Sequence, residues 1–162
     1  MGATRFKRCA LFVETLASLA LLSCAPQSAP ASVSPSTPFL SAVWQETNRD
    51  RTANGLPTLA YQAQLARLAA DWAVHLAQTE TLEHHDLAVV IADPAFAGYS
   101  ALGENLLSGP VSVTPQQAEQ AWMASPAHRA NVLSANYSVM GAGAATSTDG
   151  RLWVVVELGG LR

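Results

Sequence analysis

From Phe39 onward the apolar and polar positions fall into a helical rhythm. Phe39, Leu40, Val43, Trp44 and Thr47 recur at spacings of three and four, which puts them on one face of a helix. Asn54-Gly55 supplies a C-terminal stop, so the spacing predicts a helix over 38–53. A stronger pattern follows over 61–78: Leu65, Leu68, Ala69, Trp72 and Leu76 share one face, and Gln64, Arg67, Asp71 and Gln78 lie opposite. His75 flanks that stripe, where a core or boundary histidine is expected. Residues 80–113 hold many loop formers and are read as irregular. Thr114-Pro115 then offers an N-cap followed by proline at the first helical position, opening a helix through Trp122. Ser125-Pro126 repeats the device ahead of a short helical turn carrying His128, Arg129 and Asn131. The tail alternates with period two over 137–145 and 151–158, and Asp149-Gly150 between them predicts a β-hairpin. In its second strand Val154, Val156 and Leu158 point one way, and Trp153, Val155 and Glu157 the other. Helices before and between elements that end in antiparallel strands predict an α+β or layered α/β/α domain.

The start of the chain breaks these rhythms. Arg5, Lys7 and Arg8 precede a largely apolar stretch over 9–22 interrupted by Glu14, which reads as an export signal over 1–23. Leu21-Leu22-Ser23-Cys24 looks like a bacterial lipobox, in which a peptidase cuts before the cysteine and the cysteine carries the lipid. The expectation is therefore a protein exported and lipid-anchored at Cys24 to the cell membrane or outer membrane, with ordinary secretion as the alternative. Residues 24–38 are rich in Pro, Ser and Ala and carry no charge, a composition for a tether, which leaves 39–162 as one domain. Cys9 and Cys24 are the only cysteines, so the domain has no disulfide and depends on core packing. Cleavage before Cys24 removes three of nine basic groups and one of twelve acidic ones, leaving six against eleven, a net charge of about −5. The six arginines are scattered, which argues against a nucleic-acid partner. A monomer is expected.

Three segments pool the unusual polar residues: Leu82-Glu83-His84-His85-Asp86-Leu87, Gly103-Glu104-Asn105-Leu106, and 125–133 with Ser125, His128, Arg129 and Asn131. The order H-x-D-L, G-E-N-L, S-P-x-H-R-x-N-[IV]-L, followed by N-Y and G-x-G, resembles the bacterial branch of the CAP (SCP-like) superfamily. Asn48, Arg51, Gly55-Leu56 and Leu59 extend the likeness upstream, so it covers about 39–160. The resemblance implies a three-layer α/β/α sandwich with an antiparallel central sheet. It also implies a cleft with two histidines and up to two glutamates. It carries over His84, Glu104 and His128, with His85 a rival for His84 and Asn105 and Ser125 as neighbours. The family's second glutamate lies three residues after the helix tryptophan, and that position here is Ser125. Glu119 lies three residues before Trp122 and is not its substitute.

Two imidazoles facing a carboxylate suit a divalent metal such as zinc with open positions, His84 and His128 being the ligands. They equally suit proton transfer, or a hydrogen-bonded network that braces loops. With Ser125 in place of a carboxylate, any metal is expected to be weakly held. No G-x-S-x-G elbow and no cysteine in the domain point to a nucleophile, and N-capping accounts for Ser125. The resemblance favours an envelope binding module for a lipid-like, peptidic or cell-wall ligand. A metal-assisted, protease-like hydrolase using the same cleft is the alternative, and an envelope-structural protein with a vestigial cleft is a third reading.

Overall fold

A computed structural model describes residues 37–162. The export signal over 1–23, the lipidation site Cys24 and nearly all of the tether lie outside the described residues. Helix α1 (Pro38–Ala53) begins where local chemistry asks it to. The Thr37 hydroxyl accepts from the Leu40 amide at 3.2 Å, Pro38 occupies the first turn, and Gly55 beyond the end sits at φ +75°. A two-residue strand β1 (Ala60–Tyr61) leads into α2 (Ala63–Thr79), which Glu80 ends in the left-handed conformation at φ 52°. Then come α3 (Leu87–Ala92), a 3₁₀ turn (Pro94–Phe96), β2 (Tyr99–Pro110), α4 (Pro115–Ala124), α5 (Pro126–Val132), β3 (Val139–Thr146) and β4 (Arg151–Leu161).

The four strands form one sheet in the order β1-β3-β4-β2. β4 is central to two long antiparallel ladders, and β1 adds a short parallel pair to β3. Alternation along β4 divides the core. Val154, Val156 and Leu158 pack with Leu40, Val43, Trp122 and Val132 of α1, α4 and α5, while Trp153 and Val155 pack with Ala69, Ala73 and Leu76 of α2. Helices therefore cover both faces of the sheet, the α/β/α arrangement expected from the resemblance. α2 lies unusually close, because a Cβ on Gly141 or Gly143 would stand 2.1 or 2.3 Å from the backbone nitrogens of Ala66 or Ala70.

Residues 80–113 depart from the irregular segment that composition suggested, since β2 alone spans twelve of them. Gly103, Asn105, Gly109 and Pro110 disguise it. Its extended form is held from outside, by pairing with β4 along nearly its whole length and by side chains along its other edge. The carbonyls of Leu102, Glu104 and Leu106 face away from β4. They accept from Tyr137 Oη at 3.2 Å, Asn131 Nδ2 at 2.9 Å and Trp122 Nε1 at 2.9 Å. These bonds close an edge that would otherwise pair with another strand. Tyr137 is half-buried and packs against the core. Gly103 belongs to the same device, for a Cβ there would meet Tyr137 Oη at 2.2 Å.

Arg51 fastens the layer of α1 and α5. Its buried guanidinium donates to the carbonyls of Pro57, Val132, Ser134 and Tyr137 and to no carboxylate. Two of those carbonyls belong to the C-terminal end of α5 and the residues after it, where a helix presents unpaired acceptors and a partial negative charge. Asn48 holds the next segment by a reciprocal pair with the Leu59 amide and carbonyl.

Candidate functional site

The Gly103-Glu104-Asn105 run divides its labour by strand alternation. Gly103 makes room for Tyr137, Asn105 points to the α5 side, and Glu104 points to the opposite face beneath the loop that follows α2. Asn105 Nδ2 donates to the His128 carbonyl at 3.1 Å, and Asn131 Nδ2 donates to Asn105 Oδ1 at 3.0 Å. Amides thus do the bracing between β2 and α5. The side chains of His84 and His128 remain outside that network.

The loop over 80–86 brings both histidines of His84-His85 to Glu104, by different atoms. His84 Nδ1 lies 2.6 Å from Glu104 Oε1, while the His84 side chain stays 60% exposed and that of Glu104 is 1% exposed. The His85 amide donates to the same oxygen at 3.2 Å. Glu104 Oε1 thus meets both the His85 amide and the His84 ring, and the second ring nitrogen of His84, Nε2, makes no hydrogen bond among the described residues. The His128 ring lies 6.4 Å from that of His84, centroid to centroid. The structure therefore gathers His84, Glu104 and His128 at one place. Burial, and then the neighbouring His84, hold the His128 pKa below the usual imidazole range.

The His85 ring turns inward. Its Nδ1 lies 3.3 Å from Glu157 Oε1 and 3.9 Å from Glu104 Oε2. Trp72 stacks on its face with centroids 3.9 Å apart, and His75 stacks on Trp72 at 4.4 Å. His75 is thus a half-exposed partner of the stack, tied to Glu83 at 3.0 Å. Burial lowers the His85 pKa, against a raising influence from Glu104, so the ring is neutral at pH 7.

Glu157 is the residue that motif reasoning passed over. It is fully buried and stands directly opposite Glu104 in the β2–β4 register. A signal for it existed: in the inward series Trp153, Val155, Glu157 a charged side chain occupies a core position. Burial pushes both carboxyls up, Glu104 to about 7 and Glu157 to about 8; the Glu157 charge adds to the rise at Glu104, while a hydrogen bond with Glu104 moderates the rise at Glu157, and the pair keeps a proton at neutral pH. His85, Glu104 and Glu157 offer donor atoms within 4.8 Å of one another, a group able to hold a metal ion. Ser125 contributes no side-chain bond to capping α5, contrary to its reading as a hydrogen-bonding N-cap, and Asp93 and Thr114 make the bonds of that kind nearby. Glu119 is buried between α4 and α1 against Thr47. A concavity of about 660 Å³ beside Trp44, Asn48 and Thr52 on α1 contains no part of this constellation.

The model of the CAP, or cysteine-rich secretory protein, family matches residues 44–158, more than half of the chain. No curated protein matches it. Among solved structures, an outer surface protein of Borrelia burgdorferi is 21% identical, with a TM-score of 0.63 and coverage of 74% of this chain and 90% of that one. An extracellular protein of Bacillus anthracis containing an SCP domain is 21% identical, with a TM-score of 0.63 over 79% of this chain and 45% of that one, so this chain spans less than half its length. NaASP2, solved with Zn2+, is 13% identical, with a TM-score of 0.52 over 78% of this chain and 83% of that one. At these identities the likeness is one of fold. No helix among the described residues is long and apolar enough to cross a membrane.

Proposed function

Since the chain belongs to the CAP family of cysteine-rich secretory proteins, we propose that it is an exported binding module of the cell envelope, held there through Cys24. Its cleft between His84 and His128 takes a ligand that presents hydroxyl or N–H groups, as peptidic and cell-wall polymers and lipid headgroups do. One observation carries this reading. The His84 imidazole is exposed yet fixed, its Nδ1 anchored on a buried carboxyl at 2.6 Å. Fixing an exposed side chain costs conformational entropy, and bracing alone does not require it because Asn105 and Asn131 already tie β2 to α5. What the anchoring achieves is to hold Nε2 of the exposed ring free for a ligand, preorganised so that binding loses little further freedom.

The test is co-sedimentation of the unlipidated chain, carrying Cys24→Ala, with isolated cell-wall sacculi and, separately, with phospholipid vesicles, beside the same chain carrying His84→Ala. Binding to one of the two, reduced about tenfold or more in the variant, is expected, since one well-placed hydrogen bond lost from a buried contact costs 1–3 kcal/mol. Equal sedimentation of the two chains, or none with either material, overturns the proposal.

A further inference from the structure

We propose that His85, Glu104 and Glu157 form an interior site for one divalent transition cation, beneath the His84–His128 cleft and distinct from it. The pair expected from sequence to hold a metal was His84 and His128, but the structure offers neither of them a second carboxylate. Its carboxylates converge on His85 instead.

Three independent features point inward. First, Glu104 Oε2 and Glu157 Oε2 are buried oxygens with no hydrogen-bond partner, on side chains 1% and 0% exposed. Buried polar atoms are seldom left so, and two acceptors left together ask for a cation or a proton between them. Second, the spacing suits one ion: donors about 2 Å from a tetrahedral cation lie about 3.3 Å from each other. His85 Nδ1 stands 3.3 Å from Glu157 Oε1 and 3.9 Å from Glu104 Oε2. Third, the donors are held from outside. Trp72 lies flat on the His85 ring and is itself tied by Nε1 to the Glu83 carbonyl at 3.1 Å. Glu104 is held by His84 Nδ1 and the His85 amide on its other oxygen. Such outer partners keep ligands oriented in metal sites.

Two carboxylates and a neutral imidazole balance a divalent charge. One nitrogen with two oxygens, and room for water, suits zinc and its first-row neighbours better than calcium, which takes six or more oxygens. Binding displaces the proton the carboxyls share, so affinity rises with pH. The inference does not rest on the cleft reading: a ligand at His84 Nε2 and an ion at His85 Nδ1 use opposite sides of Glu104.

The experiment is calorimetric titration of the chelator-treated full chain with zinc chloride. We expect one ion per chain. Glu157→Gln and His85→Ala should each weaken it at least about 100-fold, because removing a ligand exceeds the 10–100-fold cost of losing an outer-shell partner. His128→Ala should bind as wild type does, and should still lose cleft binding in the sedimentation assay if that reading holds. X-ray absorption of zinc-loaded wild type guards against misfolded variants: one imidazole with oxygen ligands is expected. No binding by wild type, two imidazoles in the coordination shell, or loss in His128→Ala with full binding in Glu157→Gln each overturns the proposal.

Discussion

Replacing Glu119 by glutamine is expected to leave the protein nearly unchanged in acid and to stabilise it above neutrality. The side chain is 1% exposed between α4 and α1; Oε2 accepts from the Thr47 hydroxyl at 2.7 Å, and Oε1 has no partner. Burial pushes the carboxyl from its ordinary 4.5 up to about 7. The Thr47 hydroxyl opposes this shift, Asp50 and Glu46 add to it, and Arg49 opposes it weakly. A raised carboxyl means that the native state holds its proton where the unfolded chain has released it. The contribution is whole below about pH 4.5, falls by about 1.4 kcal/mol per pH unit through the window, and is lost above about 7. Over 2.5 pH units (7 − 4.5) that amounts to about 3 kcal/mol. Glutamine imitates the protonated form at every pH and can still accept from Thr47. Urea unfolding of wild type and Glu119→Gln across this range, plotted as the difference, cancels the titration of Glu104, Glu157 and the histidines. The difference should be nearly flat in acid and grow by about 3 kcal/mol towards pH 8. A difference that stays constant with pH would refute the reasoning, since Glu119 would then be ionised in both states or neutral in both.

Two further outcomes follow from the structure and the leader. Arg51→Lys should lower stability by at least about 3 kcal/mol, because one ammonium cannot serve carbonyls that a planar guanidinium reaches from both ends, and those left over are buried and unpaired. An unchanged urea midpoint would count against the clamp. Cys24→Ala should move the protein from the membrane fraction to the medium with an unaltered melting temperature, with or without reductant, because no cysteine follows residue 24. Wild type already soluble in the medium at full yield would exclude the lipid anchor.

Much of the architecture was local enough to read along the chain. Asn54-Gly55 ends α1 and Thr114-Pro115 opens α4 through chemistry a few residues away, and the alternation of 151–158 sorts the two faces of β4 without knowledge of its neighbours. The family likeness rested on motifs in order, and the fold agrees with it. β2 was not legible, because its glycines and asparagine look like loop chemistry until β4 pairs with one edge and Trp122, Asn131 and Tyr137 take the carbonyls of the other. Those partners lie 16, 27 and 35 residues away, and no window on the sequence joins them. The same holds for the carboxyl pair. Sequence named Glu104 by its motif and put Glu157 on the same strand face as Trp153 and Val155, but only strand register sets the two glutamates opposite each other. Adjacent His84 and His85 differ by one position in the chain; whether each faces the cleft or the interior was decided by tertiary packing, as Trp72 stacks on one ring and solvent meets the other.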